Sequence, residues 1–204
     1  SFFSIFAALN IIFFVTGINL TTANISQVLY ATVPILVGIL SHFVFGEKLS
    51  SAKIIGIILG FIGTFFVLFL PILEKGGEFS GDLMGNILLA IAVVCCSGYI
   101  SLSKKAQKTH SPFHIVSMFI LVTTLALFPF FLFELRSQYG WWNGISGSSV
   151  LSMSYVVLLG TISTYLLNQY SIKHGGAVFA SMAFYLAPLF GFLVAFLLLG
   201  EKLT

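Results

Sequence analysis

The sequence predicts an all-α, polytopic membrane protein, and two observations carry that prediction. The chain is 58% apolar, with a mean hydropathy of +1.09 and only 7% charged residues, against roughly 25% charge in soluble domains. Its charged residues cut it into uncharged runs at 1–46, 54–73, 83–103, 109–133, 137–172 and 174–200, each long enough for the roughly 20 residues of a membrane-crossing helix. Runs this continuous exclude a β-barrel, whose strands alternate in short segments.

The individual helices follow from those runs. The first run is too long for one span and breaks at Gly17-Ile-Asn-Leu-Thr-Thr22, which gives helices over 2–18 and 22–45. The next span, 51–73, carries Gly56, Gly60 and Gly63. Small residues at this spacing admit a close helix neighbour, either within the bundle or in a homodimer. Spans at 82–103 and 112–133 fill the third and fourth runs. In the fifth run only the part after Ser148 reads as a span, 148–170, and the last run supplies 176–199, seven helices in all.

Two of these helices repeat each other. Residues 24–50 and 178–204 are both apolar, both carry a proline midway, and both end in Gly-Glu-Lys-Leu. Pro34 and Pro188 stand 154 residues apart, as do Glu47 and Glu201. Duplication on this scale, in membrane-like sequence, points to an internally repeated carrier.

Loop charges give the repeat its orientation. Loops 46–53, 104–111 and 171–175 hold six of the nine basic residues, and only Glu47 among the acids. The opposite loops, including 74–81, hold the remaining acids, so the lysine-rich set is assigned to the cytoplasm. Trp141 and Trp142 then fall at the outer interface. Five helices separate the two repeat copies, and an odd offset inverts one against the other. The sequence therefore divides into residues 1–73 and 82–204, joined by a short extracytoplasmic connection at 74–81.

Both prolines are the thirteenth residue of their predicted helices, near mid-bilayer at about 1.5 Å per residue. Each removes a backbone hydrogen bond and kinks its helix, freeing the carbonyls of Tyr30 and Phe184. In hydrocarbon those carbonyls need a neighbouring helix, water or a solute. Polar groups near the kinks are the candidate substrate-binding residues: Gln27 and Tyr185 on the proline helices, Asn10, Tyr99 and Thr164 elsewhere, with Phe14, Tyr30 and Phe184 as an apolar wall. The Ser and Thr hydroxyls can equally serve as interhelical bonds. Glu47 and Glu201 are candidate gating residues, with interfacial orientation as the plainer role.

Other classes find no support. No Asp, Glu, Lys or Arg lies in the central half of any predicted span. There is no mid-span lysine for a Schiff base, no Gly-x-Ser-x-Gly and no His-Glu-x-x-His, which argues against a retinal protein or an intramembrane enzyme. A seven-helix receptor, or a structural membrane protein without transport activity, leaves the duplication without a role. The adjacent Cys95 and Cys96 match no metal spacing, and His110 and His114 lack a third ligand. No cofactor motif is present, and the basic residues leave no footprint for nucleic acid.

The motifs Ala31-Thr-Val-Pro34, Phe45-Gly-Glu-Lys-Leu49, Thr164-Tyr-Leu-Leu-Asn168, Leu186-Ala-Pro188 and Leu199-Gly-Glu-Lys-Leu203 resemble the EamA-like transporters of the drug/metabolite transporter superfamily. The resemblance covers nearly the whole chain. It implies a ten-helix protein of two inverted five-helix repeats, of which these seven helices are the third to ninth. The chain begins inside an apolar helix at Ser1 and stops at Thr204 just after a helix-end motif, as a fragment of such a protein would. The resemblance further implies transport of small organic metabolites, amino acids or related compounds, bound near the midplane, in a bacterial inner membrane.

Overall fold

A computed structural model of the chain describes residues 2–46, 48–74, 82–137 and 145–190. Among them every regular element is helical. Helix α1 runs Phe2–Ile18, and Thr22 opens α2, Ala23–Tyr30, its Oγ1 accepting from the Ile25 amide at 3.4 Å. Helix α3, Val33–Ile39, ends in a π-turn at Leu40–Val44, and α4 spans Ser51–Glu74. Asp82 caps α5, Leu83–Ala106, and α6 covers Pro112–Ser137. Helix α7, Gly147–Tyr155, passes through a π-helical stretch at Val156–Ser163 into α8, Thr164–Gly175. A short α9, Ala177–Ser181, continues past Met182 as a helix over 183–190.

Among the described residues four stretches are long and apolar enough to cross a bilayer: Ile25–Val44, Leu83–Ala106, Pro112–Arg136 and Gly147–Gly175. With the composition, they make this an all-α, polytopic integral membrane protein.

The kink that the sequence anticipates at Pro34 is present: the regular helix is interrupted just before it, at Ala31 and Thr32. Both keep right-handed helical backbone angles, so that Ile25–Val44 remains one stretch. Pro34 lies in the first turn of α3. A helix needs no N–H from its first turn, so the ring costs nothing there. Thr32 supports the kink: its N–H and its hydroxyl both donate to the Leu29 carbonyl, at 3.0 and 2.6 Å. Its own carbonyl accepts from Ile35 and Leu36, each at 3.1 Å. The last helix turns at Met182, whose N–H bonds the Phe179 carbonyl at 3.2 Å. That point lies six residues before Pro188, so the two proline helices are interrupted at unequal positions.

A second difference concerns 171–175, expected as a loop. Helix α8 continues through it to Gly175, and the reversal is compressed into Gly176 at φ 91°, a conformation natural only to glycine.

Helix α5 is the hub, packed against α1, α3, α8 and α9. Its contact with α1 has glycine on both sides: a Cβ on Gly17 would lie 3.0 Å from the Gly85 carbonyl oxygen. The turn after α1 is fastened to the same end of α5 by the Asp82 amide on the Leu20 carbonyl, 3.2 Å, and Thr21 Oγ1 on Asn86 Oδ1, 2.6 Å.

Candidate functional site

Beside the Ala31-Thr32 kink, α1, α2, α5, α8 and the 183–190 helix line an open cavity of about 450 Å³, within the usual range of small-molecule sites. Helical spacing presents Ala7, Asn10, Ile11 and Phe14 from α1, and Cys96, Tyr99 and Ile100 from α5. Ser26, Gln27 and Tyr30 come from α2, Thr164, Tyr165 and Asn168 from α8, and Phe184 completes the wall. None of these fourteen side chains is Asp, Glu, Lys, Arg or His.

One carboxamide organises the upper part of the cavity. Asn10 Nδ2 donates to the Tyr30 hydroxyl at 2.7 Å and to the Ala92 carbonyl at 2.8 Å, joining α1 to α2 and α5. Both amide protons are thereby used. The pair keeps an acceptor, Asn10 Oδ1, and a donor, the Tyr30 O–H. Aromatic rings extend the wall: Phe14 meets Tyr30 edge-on at 5.4 Å, and Tyr30 lies 6.0 Å from Phe184. On the other side Tyr99 lies 5.8 Å from Phe119 and 6.4 Å from Tyr165. The cavity offers flat apolar faces and neutral polar groups, chemistry suited to a small organic solute.

Seven of the eight candidate binding residues, Asn10, Phe14, Gln27, Tyr30, Tyr99, Thr164 and Phe184, line this one cavity. Tyr185 is placed elsewhere. Its ring packs on Gly60, and it borders a separate space of about 230 Å³ with Gly63, Thr64 and Pro188. Of the Pro34 helix only Ser26, Gln27 and Tyr30 reach the cavity, while Ala31, Pro34, Gly38 and Ser41 turn into the core, where they are buried. Thr161 is bonded back to the Val156 carbonyl at 3.3 Å. Glu47, Glu201, Trp141, Trp142 and residues 75–81 of the expected connection lie outside the described residues.

Sequence reasoning missed Gln169, which is fully buried and holds the Tyr99 hydroxyl at 2.9 Å. It also passed over Tyr165. Gly56 and Gly60 face Met182 and Tyr185 of the same chain, while Gly63 has open space beside it. The His110 and His114 rings stack at 4.8 Å. Among the described residues no group of three or more His, Cys, Asp or Glu could share a metal.

Comparison with known proteins places this arrangement in a lineage. The chain is similar to the uncharacterized transporter YetK of Bacillus subtilis (strain 168), with 32% identity over 151 residues, 74% of this chain and 44% of that protein. It is 27% identical over 189 residues to an uncharacterized transporter of Clostridium kluyveri, covering 92% of this chain and 59% of the relative. A WAT1-related chloroplastic protein of Arabidopsis thaliana is 22% identical over 94% of the chain and 46% of its own length. The chain thus spans about half the length of these relatives. The EamA-like transporter family pattern matches residues 1–69 and 83–204, stretches that contain every residue lining the cavity, and the chain belongs to that family.

Proposed function

We propose that the full protein carries a small organic metabolite, an amino acid or related compound, across the membrane, and binds it in the cavity between Asn10, Gln27, Tyr30, Tyr99, Thr164 and Phe184. The observation that carries this reading is the uncharged, aromatic-walled cavity of about 450 Å³ where helices from both halves of the duplicated sequence meet. Helices α1 and α2 come from residues 1–73; α5, α8 and the 183–190 helix come from 82–204. Two repeats that share one central site can rock about it and expose it to each face in turn. Neutral amides and hydroxyls replace part of a solute's hydration without holding it too tightly to leave.

In this reading the lysine-rich loops face the cytoplasm of a bacterial cell and the lipid of the inner membrane surrounds the bundle. Glu47 and Glu201 form gating contacts at opposite ends. The carrier performs no chemistry on its solute and needs no cofactor. A homodimer would use the open side of the glycine-rich helix at Gly63.

Reconstitution tests the proposal. Full-length protein in liposomes, given a panel of radiolabelled amino acids and related metabolites with and without a proton gradient, should accumulate at least one. Failure to move any of them would refute it. Gln27→Ala should raise the apparent KM for the transported solute, and Glu47→Gln should slow transport at normal membrane abundance; wild-type rates in the latter would remove the gate.

A further inference from the structure

At the end of the cavity nearest Lys104 and Lys105 the lining stops at Ile100 on α5 and Asn168 on α8, and beyond it lies a buried polar layer. Gln169 is its centre. Its Nε2 donates to the Tyr99 hydroxyl at 2.9 Å and to Ser103 Oγ at 3.2 Å. Its Oε1 accepts from Gln107 Nε2 at 2.8 Å, and the same nitrogen reaches the Gln169 main-chain carbonyl at 2.9 Å. Gln169 and Ser103 are both fully buried. A buried carboxamide is tolerated when its own groups are matched, as both ends of the Gln169 side chain are, and such bonds fix its geometry; the Gln107 Oε1 is buried without a partner.

We propose that Gln169 is a positioning residue that pins Tyr99 as the floor closing this end of the cavity. Tyr99 is only 4% exposed, and its ring is both cavity wall and neighbour of the network. Tyr165, one turn before Gln169 on α8, lines the cavity and packs 4.4 Å from Phe119. One face of α8 therefore supplies a ring to the floor and an amide to hold it. Beyond the amide layer, Lys104 Nζ reaches the carbonyl of fully buried Ile172 at 3.4 Å. A ring held only by its neighbours can swing aside. With its hydroxyl bonded, Tyr99 must break that bond before the floor opens.

The inference rests on reading the cavity as the solute site, but its test needs no solute. Cys96 lines the cavity one turn above Ile100 and serves as a native reporter. In full-length protein purified in mild detergent, with Cys95→Ala and any other cysteine removed, Cys96 modification by N-ethylmaleimide is followed by mass spectrometry. Gln169→Leu should speed labelling about three- to tenfold, the scale of one lost hydrogen bond. Tyr99→Phe should do the same, and the double variant should label no faster than either single.

Parent-like rates in both single variants would overturn the pin, as would increases that multiply in the double variant. If Gln169→Leu does not fold, Tyr99→Phe and Gln107→Ala carry the same two outcomes. A control reporter, Val37→Cys with Cys96→Ala, sits fully buried in the core and should keep its rate. A parallel rise there would mean general loosening and overturn the pin. A lost pin leaves the transport reading standing, and a lost transport reading leaves these rates unchanged.

Discussion

Replacing Asn10 with leucine removes one carboxamide from the middle of α1 and should loosen three helices together. The Asn10 amide bonds the Tyr30 hydroxyl on α2 at 2.7 Å and the Ala92 carbonyl on α5 at 2.8 Å. Side-chain bonds inside membrane proteins average about 0.6 kcal/mol and reach about 1.7, so losing two costs about 1–3 kcal/mol. Leucine keeps the branching of asparagine and is somewhat larger, so no cavity is opened, and the adjoining open cavity can take the extra volume. At about 2–4 °C per kcal/mol, the unfolding midpoint should fall by about 6 °C for the middle values. The assay is thermal unfolding of full-length protein in mild detergent, run as a cycle with Tyr30→Phe, which deletes only the hydroxyl. The two substitutions share the Asn10–Tyr30 bond, so their effects should fall short of additive by about 0.6–1.7 kcal/mol. Additivity within about 0.3 kcal/mol, or a leucine variant within about 1 °C of the parent, would refute the reasoning.

The glycines of α4 make a graded series for the same assay. Gly60→Ala drives a methyl into the Tyr185 ring and should cost about 1–3 kcal/mol, Gly56→Ala meets only the movable end of Met182 at 3.2 Å, and Gly63→Ala has open space and should be neutral; equal effects at all three would contradict the packing. Gly17→Ala places its methyl 3.0 Å from the Gly85 carbonyl oxygen, rigid backbone of α5, and should lower the yield of monodisperse protein on size exclusion after heating. Gly176→Ala keeps ample room, its nearest neighbour being Lys53 Nζ at 3.9 Å. It should still cost about 1–3 kcal/mol for a φ of 91° that side chains rarely adopt, and an unchanged midpoint would show that the turn relaxes.

The helices were legible because charge marks where a chain leaves a bilayer, and α1, α4 and α5 begin within a residue or so of where the charges and breaks place them. The details of the site depend on rotation about each helix axis, which periodicity alone leaves open. Phe184 and Tyr185 both qualify as site residues from their position beside Pro188. Consecutive residues on a helix point about 100° apart, so only one could face the cavity. The turn at Met182 sets that phase, sending Phe184 to the cavity and Tyr185 to Gly60. The π-helical stretch at Val156–Ser163 acts the same way on Thr161, Thr164 and Asn168, whose spacing of three and four would put them on one face of a regular helix. Extra residues per turn rotate the helix before the stretch relative to the helix after it, so Thr164 and Asn168 reach the cavity without Thr161. Gln169 escaped notice for a different reason. Lys173 marks 171–175 as a loop, which places Gln169 at a helix end where a polar side chain needs no partner. With α8 continuing to Gly175 and Ile172 fully buried beyond it, that same side chain sits one turn inside the packed core. There it must be matched by Tyr99, Ser103 and Gln107, and being matched is what lets it hold the cavity wall in place.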